Sequence, residues 1–311
     1  MGGEQIGWIM DYIVKNEEDG RKIRDVLRRG MGVSYSAMKS AKWGGRIRLN
    51  GQPVHTDAIV RAGDTVSIDW AEDAPVYALK GYDLPLEVPY EDEHLAVIVK
   101  PSPLASQSSR NHPDDSLENA LYSYYGRPEG FVYRPVNRLD KGTGGLMVVA
   151  RTPHAQHLMQ RQLHSPAFRR RYLALTDGVP AEREGVIDLP IAKAPEASVK
   201  RIIDPAGKTS ITRYRVLRET DGGGALVLLE LETGRTHQIR VHLSAIGCPV
   251  HGDFLYGRED PERFPGKFAL HSAFLEFLHP ITGKEMSFRS VPEWAGESFA
   301  SADATRAFRS P

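Results

Sequence analysis

Apolar residues recur in two rhythms along the chain, and the changes between them divide it. Across 21–29, Ile23, Val26 and Leu27 fall at helical spacing, and Gly30 and Gly32 end the run. Ser34 is placed to cap a second helix reaching about Lys42. Arg46-Ile47-Arg48-Leu49 then alternates charged and apolar side chains as a strand does. Asn50-Gly51 is a tight-turn dipeptide, and Gly63-Asp64 precedes another strand over 65–69. Together these predict a small helix-helix-hairpin unit over 10–70. Residues 71–87 are acidic and punctuated by prolines, the pattern of a linker.

Beyond it the pattern predicts strands at 95–99, 146–150, 171–175, 211–217, 226–232 and 268–277, with helices over 116–125 and 153–163. Thr236 is expected to cap a helix that carries Ile239, Leu243 and Ile246 on one face and stops at Gly247 and Pro249. Strands outnumber helices and do not alternate strictly with them, which favours α+β over a doubly wound sheet. This larger unit is expected to span 88–295, with a small, polar tail over 296–311.

Composition narrows the function classes. The single cysteine, Cys248, excludes an intrachain disulfide and fits a reducing compartment. No apolar run approaches the length of a membrane span, and the first residues lack a basic-then-apolar secretory pattern, so a cytoplasmic location is expected. The 40 basic and 40 acidic residues cancel, which argues against a generic polyanion binder, yet the charge is segregated. Arg21, Lys22, Arg24, Arg28, Arg29, Lys39, Lys42, Arg46 and Arg48 stand against Asp25 alone, and Arg169-Arg170-Arg171 is a second cluster. No glycine-rich nucleotide loop follows a strand and no zinc-type cysteine spacing occurs, so no cofactor is expected. The spacing of His237, His242 and His251 does not put all three on one helical face, so no metal is expected either.

The richest segment is Arg134-Pro-Val-Asn-Arg-Leu-Asp140-Lys-Gly-Thr-Gly-Gly145, feeding the apolar run 146–150. A carboxylate just before a tight turn is held on fixed backbone and can face a cleft. Taken alone, Arg-Leu-Asp reads as a turn cap paired with Arg138. Three further segments change that reading. They are Tyr90 to Pro101, Phe168-Arg-Arg-Arg-Tyr172-Leu-Ala-Leu175, and Gly234-Arg-Thr-His-Gln-Ile-Arg240-Val-His-Leu, which continues into Gly252-Asp-Phe-Leu-Tyr-Gly257. In this order the four segments resemble the signature of the RluA-type pseudouridine synthases, over 88–288. The N-terminal unit, through its basic first helix, Arg48-Leu-Asn-Gly51 and Ala62-Gly-Asp-Thr-Val66, resembles the alpha-L RNA-binding module often fused ahead of that catalytic domain. Trp43-Gly44-Gly45 departs from that module's pattern. Asn137 and Gly144 stand where the catalytic family often has histidine and serine.

The resemblance implies a mixed, mainly antiparallel sheet flanked by helices, and a cofactor-free isomerase that turns uridine into pseudouridine in structured RNA. Ribosomal RNA of the large subunit is the leading substrate and transfer RNA the second. It implies Asp140 as the essential carboxylate, Arg240 as its cation partner and Tyr172 as the ring against the target base. Arg138 would fill the gap left by an extruded base. Arg169, Arg170, Arg171 and Arg235, with Arg24, Arg28, Lys39 and Arg48 of the N-terminal unit, would hold RNA phosphates. The chain is expected to be a monomer. A catalytically silent RNA-binding or ribosome-assembly factor and a glycoside hydrolase are the competing readings; the second needs another acidic carboxyl group beside Asp140.

Overall fold

The computed structural model describes residues 8–33, 38, 41–42, 45–70, 79–163, 165–195 and 199–296. The expected cap at Ser34, the RNA contact at Lys39, the Trp43-Gly44 departure and nearly all of the tail lie outside the described residues.

The N-terminal part is a four-stranded antiparallel sheet. Its strands are β1 (Trp8–Ile13), β2 (Ile47–Leu49), β3 (Gln52–Pro53) and β4 (Thr65–Trp70), in the order β1-β4-β2-β3. Asn50 and Gly51 both have positive φ, as the β2–β3 turn requires. Asn50 Nδ2 donates to Asp64 at 2.8 Å and its carbonyl oxygen accepts from Thr65 N, so two loops far apart in sequence lock together. β1 escapes the periodicity argument because its outward positions Ile9 and Ile13 are apolar as well, which erases the alternation. The helix expected over 21–29 is one α turn, Ile23–Asp25, that widens into a π turn, Val26–Gly30. Ile23, Val26 and Leu27 are nonetheless fully buried, as their spacing predicts, and pack on Ile47, Val66 and Ile68. Arg24, Arg28 and Arg48 point to solvent.

The second sheet has ten strands among the described residues. In chain order these are β5 (Glu87–Glu91), β6 (Leu95–Lys100), β7 (Arg134–Pro135), β8 (Gly144–Ala150), β9 (Arg169–Thr176), β10 (Glu184–Asp188), then, outside this sheet, the small ribbon β11 (Ile191–Lys193) and β12 (Arg201–Ile203), and finally β13 (Ile211–Glu219), β14 (Ala225–Leu231), β15 (Leu270–Leu278) and β16 (Glu285–Arg289). The order is β10-β13-β14-β9-β15-β8-β6-β5, with β16 on β15 and β7 on β8. Its ladders are antiparallel except for the β8–β15 seam. This is the α+β architecture that the pattern implied.

Both faces of the centre are covered, so β6 and β8 read as continuous apolar runs. Successive side chains point to opposite faces. Leu95, Val97, Leu146 and Val148 meet Ala155 and Met159 of the helix Pro153–Gln162. Ala96, Ile98, Met147 and Val149 turn the other way, toward the core shared by the helices Leu117–Tyr124 and Gln238–Ala245. Residues 79–87 are not a free linker. Leu84 and Leu86 pack on that core, and Asn119 holds the segment through Lys80 O and Tyr82 N. Proline and acidic composition masked an extended strap whose inward positions are leucines.

The parallel seam needs Gly145. Its φ is +105°, and a Cβ there would lie 2.3 Å from Ser272 O on β15. Gly145→Ala must therefore part the seam next to the Asp140 turn. It is expected to cost at least about 2 kcal/mol in urea unfolding. Gly223→Ala, where φ is also positive but nothing lies within 4 Å, is the control for backbone strain alone.

Candidate active site

Asp140 sits in the turn between β7 and β8, and the chain just after β6 stitches that turn in place. Ser106 Oγ donates to Leu139 O at 2.6 Å and accepts from Leu139 N. Ser102 Oγ donates to Gly142 O, and Leu104 N to Lys141 O. Thr143 N closes the turn onto Asp140 O at 3.0 Å. Beneath it lies Lys100, fully buried, its ammonium donating to Leu104 O at 2.7 Å and toward Pro101 O and Lys141 O. Burial pulls this lysine down to about 7, with the negative charge of Asp140 working the other way.

The side chain of Asp140 is one-quarter exposed and meets Arg240, which the helix Gln238–Ala245 delivers at 3% exposure. Arg240 Nη1 donates to Asp140 Oδ2 at 3.1 Å. The rest of the guanidinium is clamped by fully buried Asp253, Nε to Oδ2 at 2.6 Å and Nη2 to Oδ1 at 2.8 Å. It also stacks 4.3 Å from the ring centre of Phe268 and 5.0 Å from that of Tyr256. Burial works against the charge of Arg240, but the two carboxylates outweigh it and raise its pKa. Among the described residues Asp253 is the second carboxylate at this centre. Both its oxygens are taken by the guanidinium, so it is no acid of the kind a glycoside hydrolase needs.

Strand period sorts the three arginines of β9. Arg170 and Tyr172, two apart, face the same way and both line an open cleft of about 980 Å³ with Asp140, Arg138, Arg235 and Arg240. Tyr172 is buried, which raises its pKa against the offsetting charge of Arg170 and keeps the phenol neutral. Arg171 turns to the opposite face, 4% exposed, ion-paired with Glu276 and stacked on Phe274. The expectation that it holds a phosphate is corrected, because a buried and neutralised guanidinium cannot reach RNA. Arg169 is exposed and does not line the cleft. Arg138 is exposed on the cleft, beside buried Leu139. Arg24 and Arg28, on the α and π turns of the N-terminal part, and Arg48, on β2, do not line it.

The helix that carries Arg240 begins differently from the expectation. Thr236 is not its cap. His237 occupies that position in the left-handed region, φ +59°, and Gln238 ties the loop by accepting from Arg235 N and Thr233 Oγ1. His237 Nδ1 lies 2.8 Å from Tyr256 Oη. Asn137 accepts from Val148 N and fastens the loop to β8, and a Cβ at Gly144 would meet His271 Nδ1 at 3.2 Å. Asp253, Tyr256 and Lys100 had no role assigned from sequence. Their signal is a charged or polar residue inside an otherwise apolar or glycine-bounded run, since such residues are buried only when paired.

An ionised carboxylate gripped by a buried arginine, in a cleft edged by further arginines, defines an enzyme centre suited to an anionic polymer. Residues 94–245 match the family model of RNA pseudouridylate synthase. The chain is 36% identical over 263 residues to the Bacillus subtilis protein called uncharacterized RNA pseudouridine synthase YjbO, covering 84% of this chain and 92% of that one. It is 38% identical over 294 residues to ribosomal large subunit pseudouridine synthase D of Pseudomonas aeruginosa, covering 89% and 90%. The solved structure of human RNA Pseudouridylate Synthase Domain Containing 1 aligns with a TM-score of 0.56 at 26% identity, over 69% of this chain and 86% of that one. The chain belongs to the RNA pseudouridine synthase family, on its RluA-type branch, and is an isomerase with RNA as substrate.

Lys100 gives the site a pH signature. Its folded pKa is depressed from 10.5 to about 7, so between these values the unfolded chain binds the extra proton. Stability contributed by this group is present above the unfolded pKa and lost as pH falls through about 7. Urea midpoints are therefore expected to rise from pH 7 to pH 9, and Lys100→Met should flatten that rise. An equal rise in both proteins would place the titration elsewhere.

Proposed function

We propose that the protein converts specific uridines of structured RNA, large-subunit ribosomal RNA first, to pseudouridine with Asp140 as its working carboxylate. The observation that carries this reading is the contact of Asp140 with a guanidinium that Asp253 immobilises, in a cleft shared with Tyr172. The choice of RNA is supported by the names of relatives such as the Pseudomonas protein.

The reaction breaks the bond from ribose C1′ to uracil N1, turns the base, joins C1′ to C5 and moves the C5 proton away. Positive charge builds on the sugar as the first bond breaks, and an ionised carboxylate stabilises it. Asp140 acts there as nucleophile at C1′, as nucleophile at uracil C6, or as base at C2′. Each route needs the carboxylate charged, and Arg240 donates to it at 3.1 Å. Tyr172 offers a flat neutral face to the base. Arg138 takes the space the extruded base vacates, a step that costs a few kcal/mol. Arg235 holds a phosphate at the cleft, and Arg170, 7% exposed in the cleft wall, adds positive charge behind it. The N-terminal unit, 10–70, serves as an alpha-L RNA-binding module with Arg24, Arg28 and Arg48 on phosphates, and 88–295 is the catalytic domain. The protein works as a cytoplasmic monomer without a cofactor.

Release of tritium from RNA labelled at uracil C5 tests the chemistry. Asp140→Ala is expected to abolish release while binding RNA. Arg240→Lys should lower turnover about 100-fold, as it keeps the charge and loses the fork. Equal release from Asp140→Ala and the unaltered protein would refute the enzyme reading. Arg24→Gln with Arg28→Gln should weaken binding and reduce the slope of log affinity against log salt by about 2, one for each phosphate no longer neutralised. An unchanged slope would put this face off the RNA path.

A further inference from the structure

His237 is a polar group of the cleft, beside Asp140, that the chemistry above leaves unused. It is a non-glycine residue in the left-handed backbone region, a conformation that is retained where the surroundings demand it. Its ring is 13% exposed, lines the cleft, and lies edge-on to Tyr256.

Its hydrogen bonds fix which nitrogen carries the hydrogen. Tyr256 Oη accepts from Arg201 N at 2.8 Å, and among the described residues His237 Nδ1, 2.8 Å away, is the acceptor that can satisfy the phenol's own hydrogen, so we assign the hydrogen between them to Tyr256. With Nδ1 accepting, the ring hydrogen sits on Nε2. Burial, against the nearby charge of Asp140, lowers the pKa of His237 and keeps the ring neutral. Nε2 lies 3.9 Å from Asp140 Oδ2, too far for a hydrogen bond between them. A donor and a carboxylate acceptor thus stand side by side without bonding each other. An oxygen at ordinary hydrogen-bond length from both closes an angle of about 90°, which a hydroxyl accommodates.

A group that fits this gap must accept from the N–H and donate to the carboxylate. Uracil offers carbonyls that only accept and an N3–H that only donates. A hydroxyl does both, and within an RNA chain the 3′ and 5′ oxygens are esterified. We propose that His237 donates to the 2′-hydroxyl of the target nucleotide while that hydroxyl donates to Asp140, so that this pair reads ribose at the reacting residue. The proposal rests on the uridine isomerase reading. It makes His237 a substrate-contacting residue and Tyr256 the residue that sets its tautomer.

The test uses product RNA, which does not turn over. Two stem-loops are compared as ligands of the full chain. One carries pseudouridine at the modified position, the other 2′-deoxypseudouridine, the position being mapped with the unaltered enzyme. The unaltered protein is expected to bind the ribose form at least about tenfold tighter, because the deoxy form loses the bond from His237 and the bond to the Asp140 carboxylate together. His237→Asn tolerates the left-handed backbone but falls short of the Nε2 position. It should cut the ribose preference about fivefold, the worth of the one neutral hydrogen bond lost, while the hydroxyl keeps its bond to Asp140. His237→Gln regains the reach and should restore the preference. Tyr256→Phe, which leaves residue 237 in place, should weaken it and decides the matter if the substitutions at 237 fail to fold. The same ribose preference in the unaltered protein and in His237→Asn overturns the proposal, as does no preference at all. Absence of tritium release from the unaltered enzyme would instead overturn the isomerase reading, in a separate assay.

Discussion

The site depends on one buried cation shared unequally between two carboxylates. Taking a guanidinium and a carboxylate out of water costs several kcal/mol per ion, and the cost is offset only when geometry and hydrogen bonding are near ideal. Asp253 meets that condition for Arg240 with two short bonds, and the rings of Phe268 and Tyr256 cover the faces of the cation. That pair is neutral in sum. Asp140 then adds a third charge through a single bond to Nη1, so the centre carries one net negative charge. It rests on the most exposed of the three side chains. Asp253 therefore fixes the cation, and the cation orients Asp140. Removing Arg240 outright would leave buried Asp253 without its counter-charge, held only by the backbone N–H groups of Leu255 and Tyr256, which is why a charge-retaining substitution separates chemistry from folding.

Three distant stretches of chain supply this centre, and the sheet brings them to one place. Asp140 comes from the turn into β8, Tyr172 from β9, and Arg240 from the helix that packs on the same face. β15 lies between β8 and β9, so the parallel seam at Gly145 sets the spacing of carboxylate and tyrosine. Ser102, Leu104 and Ser106 bond the Asp140 turn, and Lys100 anchors it from below. Backbone held by so many bonds keeps a catalytic carboxylate in one geometry before substrate arrives.

Much of this was legible in the sequence. The apolar runs of β6 and β8, the helix start at Thr152-Pro153 and the stop at Gly247 follow local rules and appear where those rules put them. The four ordered segments pointed to Asp140, Tyr172 and Arg240, and the structure brings these three into one cleft. What stayed hidden has physical causes. β1 carries isoleucines on its outward face opposite Met10 and Tyr12, and β5 lies in a proline-punctuated strap. Asp253 and Tyr256 act through tertiary contacts that no periodicity encodes. His237 caps its helix with strained backbone, where the local rule favoured the hydroxyl of Thr236.

The basic residues show how a charge run must be read. Arg169, Arg170 and Arg171 look alike in sequence, yet a strand's period of two sends the middle one to the cleft and its C-terminal neighbour into a pair with Glu276. The strand β15 that supplies Glu276 also forms the seam beside Asp140, so Arg171 holds the scaffold while Arg170 faces the cleft. The same logic accounts for a net charge of zero in an RNA enzyme. Arg213 with Glu232, and Arg215 with Glu184, cancel away from the cleft, leaving the positive field inside it to Arg138, Lys141, Arg170, Arg201 and Arg235. Polyanion attraction depends on that local excess rather than on the total, because at physiological ionic strength charges more than about 8 Å apart are largely screened from one another.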